Sequence, residues 1–135
     1  MTQPGIITVE HVYTQPPARV WRALTDPALV ARWWAPGDIR AEVGHRFELD
    51  MGPWGKQACE VLAVEPERLF RFRFAIGSLD TIITFALAPE GTGTRLTLIH
   101  EGFDLDSPMG RRAFEGMRPG WPGVLAKIAT TLADD

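Results

Sequence analysis

The sequence predicts an α+β fold in which one long amphipathic helix lies across a curved antiparallel β-sheet. Two patterns carry this prediction. In the last quarter of the chain, apolar residues recur at steps of three and four and so share one face of a helix: Phe114, Met117, Trp121, Leu125, Ile128 and Leu132. Between residues 39 and 103, apolar and polar residues alternate instead, as in strands that are buried on one face. The apolar face of the helix can then cover the apolar face of the sheet.

A strand and two short helices are predicted before the main part of the sheet. Alternation over residues 7–13 predicts the strand. Pro17 begins the first helix, because proline is favoured in a first turn, and Thr25-Asp26-Pro27 ends it and caps the second. The second helix carries Trp33 and Trp34. Since neighbouring helical residues point about 100° apart, we expect one of these indoles to enter the core and the other to lie near an opening.

Five further segments have the period of β-strands. Four of them place their apolar residues on a single face, and these faces comprise Phe47, Leu49 and Met51; Phe70, Phe72, Phe74 and Ile76; Ile83, Phe85 and Leu87; and Leu96, Leu98 and His100. The remaining segment, residues 59–64, is apolar on both parities, so its inner face stays open. Short turns between adjacent strands imply an antiparallel meander.

The long helix contains two internal prolines. Ser107-Pro108 is a typical helix start, with a hydroxyl cap and a proline in the first turn. Pro119 and Pro122 each remove a backbone donor and crowd the carbonyl group four residues earlier, which costs about 3 kcal/mol in a helix interior. We therefore expect a helix over residues 108–117, then a kink or break, and a second helix over residues 120–133.

Size and charge exclude some classes of protein. A chain of 135 residues, 45% of them apolar, is predicted to form a single domain over residues 1–135 with a core of its own. Fourteen basic and seventeen acidic residues give a formal net charge of −3. Without a basic run, the chain lacks the electrostatic signature of a nucleic-acid-binding protein, and no nucleic-acid partner is predicted.

The sequence is typical of a cytoplasmic protein. Cys59 is the single cysteine, so an intramolecular disulfide cannot form, and a reducing compartment is expected. Residues 1–5 lack the charged and apolar regions of a signal peptide. No apolar run approaches the roughly 20 residues that span a bilayer, so no membrane span is predicted.

Motifs for catalysis and cofactor binding are absent from the sequence, which has no phosphate-binding loop, dinucleotide-binding glycine pattern, nucleophile elbow or paired cysteines. His11, His45 and His100 lie on separate segments without the spacing of metal ligands, so neither a metal nor a cofactor is predicted. His100 shares a face with Leu96 and Leu98, so its imidazole should point beneath the long helix. There it could bind or protonate a polar ligand atom, or it could be a core histidine hydrogen-bonded to a backbone carbonyl group or a carboxylate.

The space between helix and sheet is the candidate ligand site. Five tryptophans and seven phenylalanines make the interior aromatic, and such side chains can pack as a core or line a pocket. Trp54 lies in a loop rich in glycine and proline and is a candidate lid residue or loop anchor. The predicted ligand-binding residues are Trp33, Trp34, Phe47, Met51, Trp54, Phe72, Phe74, Phe85, Leu98, His100, Met117 and Trp121.

Several stretches together resemble a known family. They are PARVWRALTDP (17–27) followed by RWWAP (32–36), VLAVEPERL (61–69), TLIHEGF (97–103) and then Gly120-Trp121. They are similar to the N-terminal signature, the middle strand pair, the last strand and the long helix of the activator of heat-shock protein 90 ATPase homologue family, in the START-like, or SRPBCC, superfamily. The resemblance covers nearly the whole chain. It implies a helix-grip fold: a strand, two short helices, six further antiparallel strands and a long helix that closes a hydrophobic cavity.

The resemblance leaves function open, because relatives include lipid carriers, aromatic polyketide cyclases and co-chaperone domains. The leading hypothesis is a small soluble protein that binds an apolar or aromatic ligand between the sheet and the helix over residues 108–133, with His100 as the polar contact. One alternative is an enzyme of the cyclase or dehydratase kind, with His100 as general acid or base. Another is an interaction module, such as a homodimer or a chaperone accessory, with exposed Trp34 or Trp54 as its anchor.

Overall fold

The structure is a computed structural model that describes residues 5–134. Its elements follow the predicted order. The strands are β1 (Ile6–Tyr13), β2 (Arg46–Asp50), β3 (Lys56–Glu65), β4 (Leu69–Phe74), β5 (Thr81–Glu90) and β6 (Gly93–Glu101). The helices are α1 (Pro17–Thr25), α2 (Pro27–Trp33), α3 (Pro108–Asp134) and one short 3-10 turn (Gly52–Trp54). None of the helices in the described range combines the length and the apolar character that crossing a membrane requires.

The six strands form one antiparallel sheet in the order β1-β6-β5-β4-β3-β2. The predicted meander therefore runs from β2 to β6, and β1 joins the sheet beside β6. The expectation of six further strands after the short helices is wrong, because residues 5–134 contain five. Between α2 and β2 the chain forms an isolated bridge from Gly37 to Leu49 but no further strand.

A register shift decides which face β3 turns inward. Cys59 and Val61 are buried and lie opposite Phe74 and Phe72 on β4. The register then shifts between Val61 and Ala63. The shift places one extra residue in β3, so odd-numbered residues face inward before it and even-numbered residues after it. This explains why the segment is apolar on both parities in the sequence.

The prediction that the long helix breaks at its prolines is wrong, because α3 is continuous from Pro108 to Asp134. Pro119 and Pro122 both lie on its exposed face. The carbonyl groups of Glu115 and Arg118, which lose their donors to these prolines, also belong to exposed residues. Water can satisfy these carbonyl groups, so the lost hydrogen bonds cost less than they would in the core.

The second half of α3 is attached to the start of the chain. The Tyr13 hydroxyl donates a hydrogen bond to the carbonyl oxygen of Leu125 over 2.8 Å, and Arg19 donates one to the carbonyl oxygen of Leu132, also over 2.8 Å. Arg32 forms an ion pair of 3.1 Å with Asp134. These contacts, with the buried face of the helix, hold α3 across β1, α1 and α2.

All the buried apolar side chains of residues 5–134 except Leu29 belong to a single cluster with members from β1 through to α3. The predicted domain of residues 1–135 also includes residues 1–4 and 135, which lie outside the described residues. The segment of residues 1–5, in which no signal peptide is predicted, therefore lies outside the described residues except for Gly5.

Candidate functional site

A group of aromatic rings fills the region where α2, α3 and the inner face of the sheet meet. We refer to it as the aromatic cluster, and its members are Trp33, Trp34, Phe47, Phe72, Phe74, Phe85 and Trp121. Neighbouring ring centroids lie 5.5 to 6.2 Å apart, within the range of favourable aromatic contacts. The sheet supplies the phenylalanines because alternate residues of β2, β4 and β5 point to its inner face.

Trp34 contacts rings from α2, from the sheet and from α3. Its ring centroid lies 5.6 Å from that of Trp33, 5.7 Å from Phe74 and 5.5 Å from Trp121. The indole planes of Trp33 and Trp34 are nearly parallel, at 14°, and the two rings stack. The expectation that the second helix carries both tryptophans is wrong. The reason is that α2 ends at Trp33, and Trp34 has non-helical backbone angles (φ −135°, ψ −82°). Trp33 is buried and Trp34 is half-buried, as expected for one core ring and one ring near an opening.

Two of the three tryptophans in the aromatic cluster are held by hydrogen bonds. The indole N–H of Trp33 donates to the carbonyl oxygen of Ala23 over 2.8 Å. The indole N–H of Trp121 donates to Nδ1 of His100 over 3.1 Å. These bonds satisfy the polar atom of each buried indole and keep both rings in place.

His100 lies at the edge of the aromatic cluster and is fully buried. Because an indole N–H can only donate, Nδ1 must accept the bond from Trp121, which leaves the imidazole proton on Nε2. Nε2 lies 2.8 Å from the hydroxyl oxygen of Thr81 and donates to it, while that hydroxyl donates to the carbonyl oxygen of Phe74 over 3.3 Å. Desolvation lowers the pKa of His100 to about 3, so the imidazole is neutral at physiological pH.

The structure brings most of the predicted site residues together. Leu98 is buried and lies opposite Phe85 in the pairing of β5 with β6. Met51 and Met117 are half-buried and pack against the core. Trp54 is the exception, since it is 78% exposed on the 3-10 turn and takes no part in the aromatic cluster.

Two residues near His100 are missing from the predicted set. Thr81 accepts the Nε2–H bond, and its parity with Ile83 and Phe85 on β5 could have identified it from the sequence. The ring of Phe103 lies 4.5 Å from the imidazole. Phe103 follows β6 in an irregular segment, where no periodic pattern predicts the direction of a side chain.

Two surface depressions, of about 470 and 370 Å³, lie along β2, and Phe47 of the aromatic cluster lines the larger one. The larger is lined by Arg46, Glu60 and Arg73 among others, and the smaller by Asp38, Glu48 and Asp50 among others. Neither is lined by a residue of α3. Within residues 5–134, no three histidine, cysteine, aspartate or glutamate side chains are grouped in a way that could hold a metal ion.

Comparison with known families identifies the relatives of this chain. The family model described as Activator of Hsp90 ATPase homolog 1-like protein matches residues 14–133. The chain belongs to this family. Its sheet, short helices and long C-terminal helix are those of the START-like, or SRPBCC, helix-grip fold, as the sequence resemblance implied. Family and fold together support a small ligand-binding domain. No curated protein matches the chain.

Solved structures from several bacteria have the same fold as this family member. A crystal structure of a Mesorhizobium loti protein is 36% identical, with 96% of this chain and 97% of that chain covered and a TM-score of 0.85. A solution structure of a Bacillus halodurans protein is 26% identical, with 98% and 99% covered and a TM-score of 0.83. CalU16 from Micromonospora echinospora is 26% identical, with 98% and 81% covered and a TM-score of 0.75.

Proposed function

We propose that this member of the family binds an apolar or aromatic ligand between the inner face of the sheet and α3. The observation that carries the proposal is the aromatic cluster, which lies between these two surfaces. Stacked and edge-on rings offer a large area for hydrophobic and aromatic contacts. The half-buried side chains of Met51 and Met117 can adapt to ligands of different shape, because methionine is unbranched and polarisable.

The chemistry of the aromatic cluster favours an uncharged ligand. Its seven members are apolar apart from the indole N–H groups, and its polar neighbour His100 is neutral. A charged ligand would lose its hydration there without gaining a counter-charge. A neutral molecule with one polar atom could instead take over the hydrogen bond that joins Trp121 to His100.

Thermal unfolding in the presence of candidate ligands tests the proposal. Neutral fused-ring aromatics and long-chain alcohols would be compared at several concentrations, because a ligand at 100 times its Kd stabilises the folded state by about 2.7 kcal/mol. We expect at least one neutral aromatic compound to raise the midpoint, and Phe74→Leu to weaken that effect. Trp54→Ala serves as the control, since this side chain is exposed outside the aromatic cluster. No shift with any compound, together with native mass spectrometry that detects only the mass of the protein, would refute ligand binding.

An acid–base role for His100 has less support. Both ring nitrogens are engaged, one by Trp121 and the other by Thr81, so a substrate proton could reach the imidazole only after a bond is broken. A pKa of about 3 also leaves almost no imidazolium to act as an acid near neutral pH.

No observation on residues 5–134 favours a homodimer or a chaperone partner over ligand binding. Both of these, and the cytoplasmic location, stay predictions.

A further inference from the structure

Trp34 stands in the space that the proposed ligand needs. Its indole is flanked by Trp33 on one side and by Trp121 on α3 on another, with ring centroids 5.6 and 5.5 Å away. Phe72 and Phe74 from the sheet lie 6.2 and 5.7 Å away. A flat aromatic ligand bound between sheet and helix would contact the same four rings.

Trp34 also differs from its two tryptophan neighbours in how it is held. Trp33 and Trp121 each donate an indole hydrogen bond. The structure gives no such partner to the indole N–H of Trp34 within residues 5–134. In the same range no fully buried side-chain nitrogen or oxygen lacks a partner, so this N–H must be within reach of water. The Trp34 ring can therefore leave the aromatic cluster without breaking a hydrogen bond.

The backbone at Trp34 allows a movement of the side chain alone. The backbone N–H groups of Trp34 and Ala35 both donate to the carbonyl oxygen of Val30, over 2.8 and 3.1 Å. These bonds fix the main chain just after α2, whereas the half-buried indole can rotate about its two side-chain torsions. The outward rotation would leave the strands, α3 and the other rings in place.

We propose that the Trp34 indole occupies the ligand position in the empty protein and rotates outward to admit a flat, uncharged aromatic molecule of about two fused rings. The size follows from the indole that the ligand replaces, and the lack of charge follows from the apolar rings around it. This inference rests on the proposed function and makes it more specific. Trp34 is then a competing internal ligand, so the apparent affinity is the intrinsic affinity reduced by the fraction of molecules in which the position is open.

Truncation of Trp34 tests the inference. Calorimetric titration with indole and with naphthalene would compare wild type, Trp34→Ala and the control Trp54→Ala. An open state populated at about 1 to 10% predicts that Trp34→Ala binds about ten- to hundredfold more tightly than wild type. Trp54→Ala should bind like wild type, because its indole lies outside the aromatic cluster.

A spectrum of the wild type separates this inference from the general effect of making a cavity. Truncation of any core ring can create space for naphthalene, but only an internal ligand must move when wild type binds it. We expect saturating naphthalene to shift the Trp34 indole N–H resonance in a 15N-labelled sample far more than that of Trp33, with Trp34→Phe used for the assignment. An unmoved Trp34 resonance in naphthalene-bound wild type overturns the inference, even if Trp34→Ala fails to fold.

The remaining outcomes distinguish the inference from the proposed function. Equal affinities of wild type and Trp34→Ala overturn the role of Trp34 and leave ligand binding intact. If neither protein binds either probe while wild type binds a long-chain alcohol, the bicyclic ligand class is wrong and the broader proposal stands. If no apolar compound binds to either protein, both proposals fail.

Discussion

His100 shows how a single residue can be predicted to face the interior and still have an unexpected role. The parity of β6 places it under α3, and the structure confirms that position. Its partners are Trp121 on α3 and Thr81 on β5, neither of which is a carboxylate or a backbone carbonyl group. The resulting chain of hydrogen bonds joins helix and sheet through one neutral imidazole.

The pKa of His100 predicts that stability decreases in acid. Because burial lowers the pKa from 6.5 to about 3, the folded protein keeps His100 neutral where the unfolded chain protonates it. The unfolded state then binds the additional proton, so the free energy of unfolding falls with decreasing pH by about 1.4 kcal/mol per unit between these two values. This part of the stability is fully present above pH 6.5 and is lost as the pH falls toward 3.

Urea unfolding at a series of pH values checks this prediction. His100→Asn is the matched variant, because an amide oxygen can still accept the Trp121 bond but the group does not titrate. Carboxylates contribute equally to both proteins, so the difference between their slopes isolates the histidine. Parallel slopes would show that His100 titrates normally in the folded protein.

At the scale of the element, α3 shows that the cost of a helix interruption depends on its surroundings. Pro119 and Pro122 face outward, and Trp121 between them is buried. The apolar stripe predicted from the sequence therefore stays in phase through the proline-containing turns. Packing of that stripe outweighs the local preference for a break.

Pro119→Ala should stabilise the protein. The substitution restores a donor for the carbonyl group of Glu115 and relieves the crowding of the ring, worth about 3 kcal/mol in a helix interior. Proline also restricts the unfolded chain, which offsets about 1 kcal/mol, so we expect a net gain of about 1 to 2 kcal/mol in the free energy of unfolding. Pro108→Ala is the matched control, because Pro108 lies in the first turn and interrupts no hydrogen bond. Chemical denaturation measures both, and an equal response would contradict the account.

Two glycines of α3 should respond in opposite directions to alanine. Gly116 is exposed, with open space where the methyl group of an alanine would lie, so Gly116→Ala should raise the free energy of unfolding by about 1 kcal/mol through helix propensity. Gly110 is buried, and a Cβ there would clash with the carbonyl oxygen of Asp104. Gly110→Ala should therefore destabilise the protein despite the same gain in propensity. Thermal unfolding of the two variants is the measurement, and a stabilised Gly110→Ala would contradict the close approach.

At the scale of the whole molecule, all six strands and the three α-helices contribute to one core. The single cluster of buried apolar residues contains side chains from β1, the short helices, the sheet and α3. The attachments of α3 to Tyr13 and Arg19 also join positions more than 100 residues apart in the chain. Loss of α3 or of the sheet would expose the aromatic cluster to water.

We therefore expect unfolding as one cooperative transition. Far-ultraviolet circular dichroism reports the helices and strands. Tryptophan fluorescence reports all five indoles, three of which, Trp33, Trp34 and Trp121, lie in the aromatic cluster. Because both signals depend on the same core, their urea transitions should coincide. An earlier fluorescence transition, with secondary structure retained, would indicate that α3 separates from the sheet as an independent unit.

The sequence by itself determined the order of the elements, the family likeness and most of the inward-facing residues. Phe72, Phe74, Phe85 and Leu98 follow the two-residue period of strands, and the stripe of α3 follows the helical period. These periods are set by local backbone geometry, so they can be read without knowledge of distant segments.

Only the tertiary structure decided the continuity of α3, the register shift in β3 and the place of Trp34. Each depends on groups far apart in the sequence: the packing of the buried stripe of α3 against the rest of the core, the pairing of β3 with β4, and the rings of Phe74 and Trp121 around Trp34. The same holds for His100, whose partners come from two other elements. Periodicity specifies which way a side chain points, but what it meets there is decided by how the whole chain packs.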